Sequence, residues 1–128
     1  MDIPEDWLGK HVWLWFGAVD WEAHVWVNGQ LLEDHEGGYT PFAVDITPHA
    51  KPGGEATIVV RAMDGTDPEL PTGKQGGRWH TPTSGIWQTV WLEARPEQYV
   101  DHLRLTPQCS SGSWSLAVEL EAVGPDGP

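Results

Sequence analysis

The sequence holds a single cysteine, Cys109, in 128 residues. One thiol cannot form an intramolecular disulfide, and the multi-cysteine zinc patterns fall away with it. Cysteine usage therefore does not reveal the redox compartment. Basic side chains are scarce as well. Seven Lys and Arg stand against nineteen Asp and Glu, a formal net charge of −12. A phosphate backbone and an anionic membrane surface both repel such a chain, which argues against nucleic acid and membrane as partners. No apolar run reaches the roughly 20 residues of a membrane-spanning helix. The opening MDIPEDWLGK lacks the basic and apolar regions of an export signal. That favours the cytoplasm without establishing a compartment, because an upstream segment would change the reading. Heptads, internal repeats and low-complexity tracts are also missing.

What the sequence has in abundance is tryptophan, nine in all. Tryptophan is usually mostly buried, so several of these belong to a core, and the exposed remainder mark binding surfaces. The chain otherwise reads as short strands and turns. In KHVWLWFG, Val12, Leu14 and Phe16 alternate with Trp13 and Trp15. Both faces are apolar, as in a central strand covered on both sides or a strand at an interface. EAHVWVNGQLLEDHEGGY predicts a hairpin turning at Asn28-Gly29, with the return strand over Leu31 to Glu36. Further strands are predicted over Phe42 to Ile46, around Ile58 to Ala62, and as one run through IWQTVWLEA. One helical turn is expected near Thr47 to Ala50. YVDHLRLTP and SWSLAVELEAV form two more strands around the turn QCSSG. Many short strands and almost no helix predict an all-β sandwich.

One long stretch has neither period: Asp64 to Gly85, with three prolines and five glycines. Loops of this length inside compact domains are usually functional or disordered. Within it, Gln75, Arg78, Trp79 and His80, with Lys74 and Asp67 nearby, suit a sugar site. A pyranose offers a C–H face to an aromatic ring and hydroxyls to planar polar groups. The competing reading is that Trp79 packs against a neighbouring domain.

Several separated motifs, in order, resemble one family: FGAVDWEAHVWVNG, HEGGYTPFAVDIT, GKQ and WHTPTSGIWQTVWLE. Over about Pro4 to Pro107 the chain looks like the N-terminal sugar-binding domain of glycoside hydrolase family 2, which includes β-galactosidases, β-glucuronidases and β-mannosidases. The resemblance implies a jelly-roll β-sandwich of the galactose-binding type over 1–98, and over 99–128 a linker and the first strands of an immunoglobulin-like sandwich. It also implies that the loop from Asp64 to Gly85 approaches a catalytic (β/α)₈ barrel. Family members carry a segment before the strand matched by Lys10 to Gly17, so the sandwich is expected to be truncated at its N-terminus. The family's two catalytic glutamates sit on the barrel. Retaining hydrolysis needs such a pair about 5 Å apart, and neither motif is present here. The chain alone is expected to be non-catalytic, to need no cofactor, and to support a retaining β-glycosidase. Its expected partners are a carbohydrate and the barrel and immunoglobulin-like domains of a parent enzyme. With preceding strands missing, the apolar strand from Lys10 to Gly17 needs a cover: either the strands Tyr99 to Pro107 and Ser113 to Val123 fold back onto the incomplete sheet, or, as preferred, two isolated chains form a homodimer by edge pairing or strand exchange.

Two further groups bear on function. Asp20, Trp21 and Glu22 form an acidic, aromatic corner. They read either as an acid pair or calcium ligands with a stacking ring, or as a structural corner whose Asp bonds nearby backbone N–H groups. The structural reading is preferred, and the resemblance agrees, because this motif recurs in the family without being catalytic. Glu36 and Tyr39 flank Gly37-Gly38, read as a tight turn with Tyr39 packed on it. Asp64, Asp67 and Glu69 read as a solvated face rather than a calcium loop, the scattered histidines form no metal motif, and Cys109 reads as an incidental thiol.

Overall fold

The computed structural model describes residues 1–65, 69 and 81–125. The chain divides into two compact units, Met1–Ala94 and Arg95–Pro128.

In the first unit, a 3-10 turn at Glu5–Trp7 precedes β1 (His11–Phe16). β2 (Val19–Asp20), β3 (Glu22–Val27), β4 (Gln30–Glu36), β5 (Phe42–Asp45), β6 (Ile58–Met63), β7 (Gly85–Ile86) and β8 (Val90–Arg95) follow. They form two three-stranded sheets, ordered β5-β1-β8 and β4-β3-β6, and a short β2-β7 ladder. The sheets are joined by one core. Val12, Leu14 and Phe16 of β1 and Val44 of β5 meet Ala23, Val25 and Val27 of β3, with Leu92 of β8 and Val60 of β6 packed against them. This is the predicted all-β sandwich. Burying a side chain such as Phe16 contributes about 1.5–3 kcal/mol.

Local chemistry sets the turns. Asn28 and Gly29 have φ of 50° and 83°, so the predicted hairpin closes through two left-handed residues, whose twist matches the flanking strands. Asn28 also clamps the neighbouring connection. Its Nδ2 donates to the His49 carbonyl at 2.7 Å, and its Oδ1 accepts the Thr57 N–H at 2.9 Å. β5 ends because the Asp45 carboxylate accepts the Thr47 N–H at 2.9 Å while Thr47 Oγ1 accepts the Val12 N–H at 2.8 Å. The expected single turn follows, with the Ala50 N–H bonded to the Ile46 carbonyl.

β1 is the central strand of its sheet, and its two apolar faces differ. Val12, Leu14 and Phe16 are fully buried; Trp13 and Trp15 on the other face are half-buried. Trp15 stacks on Trp91 of β8 with ring centroids 5.6 Å apart. The run predicted as one strand through IWQTVWLEA is in fact two, β7 and β8, broken over residues 87–89. The segment changes partners across the break, from β2 on β7 to β1 on β8. Gly17 lets it pass closely, since a Cβ there would lie 2.8 Å from Gln88 Cβ, and its N–H bonds the Thr89 carbonyl at 2.9 Å.

The second unit is a long ribbon of β9 (Tyr99–Ser110) and β10 (Ser113–Val123). The turn is tighter than QCSSG suggested. Only Ser111 and Gly112 form it, with φ of 52° and 82°, and Cys109 lies within β9. The register pairs Leu103 with Leu120, Leu105 with Val118, Pro107 with Leu116 and Cys109 with Trp114. Because side chains alternate, these pairs share one face, while Arg104/Glu119 and Thr106/Ala117 occupy the other. A bulge at Glu121/Ala122 absorbs Asp101, whose Oδ1 lies 3.3 Å from Arg95 Nη1.

Candidate functional site

The described surroundings of the loop between β6 and β7 are organised by the corner in GAVDWEA. Ala18, Val19 and Asp20 are buried. β2 pairs with β7, Val19 opposite Ile86 and Asp20 opposite Gly85, so the strand leaving the loop is laced to the corner. The Trp21 N–H donates to the Met63 carbonyl at 3.1 Å, where the chain enters the loop. The Trp21 carbonyl accepts the Gly37 N–H at 2.9 Å from the end of β4. The Asp20–Trp21 peptide is cis. Both ends of the loop and the turn after β4 thus converge on three residues, mostly through backbone groups.

A second tie crosses the same region. The Trp87 indole N–H donates to the buried Gly38 carbonyl at 2.7 Å, and Tyr39 meets the Trp87 ring edge-on at 6.1 Å. Tyr39 is 59% and Trp87 38% exposed, so the pair presents aromatic surface beside the loop. Below it, a stack of rings leads inward: His35 lies on Phe42 at 4.0 Å, and Phe42 on Phe16 at 4.8 Å.

The members of the acidic corner part company. Asp20 points into the protein at 1% exposure. Glu22 lies on the outer face of β3, where its Oε1 is 3.4 Å from His24 Nε2, which is also 3.5 Å from Asp34 Oδ1. His24 stacks in turn on Trp26. Among the described residues, no group of three or more His, Cys, Asp or Glu side chains is placed to hold a metal ion. Glu36 ends β4 opposite Glu22. The expected packing of Tyr39 is partial, since it contacts Trp87 yet stays largely exposed.

The residues singled out for sugar contact, Asp67, Lys74, Gln75, Arg78, Trp79 and His80, lie outside the described residues. What the structure adds is Trp87. Its sequence context, SGIWQ, offers one signal: Gly85 beside a predicted strand marks a break where a side chain can be redirected.

Two apolar sheets around one core, with a long loop fastened at both ends to a buried corner, define a β-sandwich module with a framed loop. The chain belongs to the glycosyl hydrolases family 2, sugar binding domain, whose model matches residues 1–96. It is 47% identical over 99 residues to a β-glucuronidase of Paenibacillus borealis, covering 76% of this chain and 14% of that protein. It is 37% identical over 104 residues to a putative β-glucuronidase of Formosa agariphila, covering 80% and 12%. Among solved structures it resembles the Ruminococcus gnavus β-glucuronidase in complex with uronic isofagomine, at a TM-score of 0.79 and 27% identity over 97% of this chain and 23% of that one. The family resemblance read from the motifs is therefore correct. The chain spans only 12% to 14% of the length of these two curated relatives.

Proposed function

We propose that this chain is the non-catalytic carbohydrate-recognition module of a retaining β-glycosidase, lending the loop between β6 and β7 to a sugar held by a catalytic barrel on another segment. In this reading the first unit is the jelly-roll sugar-binding domain, and the β9–β10 ribbon opens an immunoglobulin-like sandwich. The observation that carries it is the double fastening of the loop at Asp20–Trp21, through Met63 on one side and Gly85 on the other. Ends fastened in this way set where the loop leaves and rejoins the fold, as a binding loop on a rigid scaffold requires. The loop holds Trp79 for stacking, and Lys74 and Arg78 are two of only seven basic residues in the chain. Such cations favour a sugar that bears a carboxylate, through charge-assisted hydrogen bonds. The R. gnavus enzyme has been solved with D-glucuronic acid, which makes a β-glucuronide the ligand to test.

The experiment is a titration of the full chain with methyl β-D-glucuronide, followed by amide and indole NMR shifts. One stacking ring and a few hydroxyl contacts give a dissociation constant of order 1 mM, about −4 kcal/mol. Trp79→Ala is expected to abolish the shifts. Undiminished binding by that variant places the site elsewhere. No shift at all up to about fifty times that concentration favours a purely structural module.

A further inference from the structure

Asn28 is the only asparagine in the chain, and a glycine follows it. An asparagine side chain is most readily attacked by the next backbone nitrogen when that residue is glycine, which puts no Cβ in the way. A Cβ at Gly29 would meet nothing within 4 Å beyond its chain neighbours, so the turn is open on that side. Yet the Asn28 side chain is engaged. Its Nδ2 donates to the His49 carbonyl and its Oδ1 accepts the Thr57 N–H. The Asn28 N–H donates to the Thr57 carbonyl at 2.8 Å. All three residues belong to the first unit. A reactive amide is therefore held by two bonds to the connection between β5 and β6.

We infer that Asn28 is a self-modification site whose deamidation is gated by this clamp. The reaction needs only water and base. Base takes the proton of the Gly29 N–H, and the nitrogen attacks Asn28 Cγ. The bond from Gly29 N to Cγ forms, the Cγ–Nδ2 bond breaks, and Nδ2 leaves as ammonia with a proton from water. Water then opens the succinimide ring at either carbonyl and leaves aspartate or isoaspartate at position 28. Attack makes Cγ tetrahedral and expels Nδ2, which tears the side chain from both of its partners. The folded chain therefore reacts only as the clamp opens, and two hydrogen bonds hold the opening back ~10- to 100-fold. The product cannot remake the clamp. A carboxylate has no hydrogen to donate, so its oxygen would face the His49 carbonyl oxygen. Isoaspartate also routes the backbone through one extra carbon inside a turn closed by two left-handed residues. Each conversion adds a negative charge to a chain already at −12, and the loosening of the hairpin is permanent.

The chain supplies its own reporter. With no second asparagine, the mass gained when an amide becomes a carboxyl is assigned to Asn28 by peptide mapping. The full chain is incubated at mildly alkaline pH, folded and in concentrated urea, and its mass is followed over days. Conversion is expected in both, ~10- to 100-fold slower in the folded chain. Two variants loosen the clamp and leave Asn28-Gly29 intact. Thr57→Pro deletes the N–H that Oδ1 accepts. Ala50→Gly loosens the buried turn that carries the His49 carbonyl, and serves alone should the proline variant not fold. Each folded variant is expected to convert ~5-fold or more faster than the parent chain. Asn28→Asp, which stands for the product, is expected to lower Tm by several degrees. A folded chain that converts as fast as the unfolded one overturns the inference, since the clamp then restrains nothing. So do folded clamp variants that convert no faster, or an Asn28→Asp variant as stable as the parent chain. None of these outcomes depends on sugar affinity, so the inference stands or falls apart from the proposed function.

Discussion

Replacing Trp87 by Phe tests whether the loop frame is held by a specific bond or by general packing. Phe keeps an aromatic ring against Tyr39 but cannot donate to the Gly38 carbonyl, now bonded at 2.7 Å. Gly38 is buried, so its carbonyl has little access to water as a substitute. Leaving a buried acceptor without its donor costs about 1–3 kcal/mol. The lost part of the indole adds little, because Trp87 is already 38% exposed. The expected destabilisation is about 1–2 kcal/mol. For a unit of 94 residues this lowers Tm by roughly 4–15 °C. Urea melts are expected to show a lower midpoint with an unchanged slope, since the surface exposed on unfolding barely changes. Hydrogen exchange adds a local readout: the Gly37 N–H, bonded to the Trp21 carbonyl in the same cluster, should exchange faster in the variant. A loss below about 0.5 kcal/mol, within the range of an ordinary surface substitution, would refute the reasoning. It would mean that Gly38 finds another donor and that the indole bond does not hold the frame.

Gly17→Ala is expected to destabilise the first unit by about 1–3 kcal/mol, because the new Cβ would meet Gln88 Cβ at 2.8 Å and neither backbone can give way easily; thermal melts check it, and a neutral result would show that the β1–β8 crossing is slack. Asn28→Gly keeps the left-handed turn and the backbone bond to Thr57 but removes the side-chain bonds to His49 and Thr57, so a loss of about 1–2 kcal/mol is expected. Asn28→Ala should lose more, because it adds strain at φ 50°. The two variants compared by denaturant unfolding separate the clamp from the turn, and equal losses would assign the whole effect to the clamp.

The parts of the fold legible in the sequence are those governed by near neighbours. Asn28-Gly29 announces its hairpin because the left-handed turn is specified by those two residues themselves. The alternation of Val12, Leu14 and Phe16 announces a core face because a strand repeats every two residues. Periodicity could not rank that face against Trp13 and Trp15. The choice follows from partners far along the chain: Val25 and Val44 on one side, Trp91 on the other. Trp87 was hidden for the same reason, since its acceptor lies 49 residues away. The switch from β2 to β1 as partner likewise divides a run that looked continuous.

The corner carries the same lesson into function. Its acidic and aromatic letters invite a reading as a site, yet its principal ties are backbone ones: the Trp21 N–H to Met63, the Trp21 carbonyl to Gly37, and the β2–β7 ladder. Backbone bonds do not depend on which side chains the loop displays. A frame built from them can therefore hold loops of different chemistry in one position. In the proposed reading, specificity rests on loop residues such as Lys74, Arg78 and Trp79, and the ties at Asp20 and Trp21 fix only where that loop leaves and rejoins the sandwich.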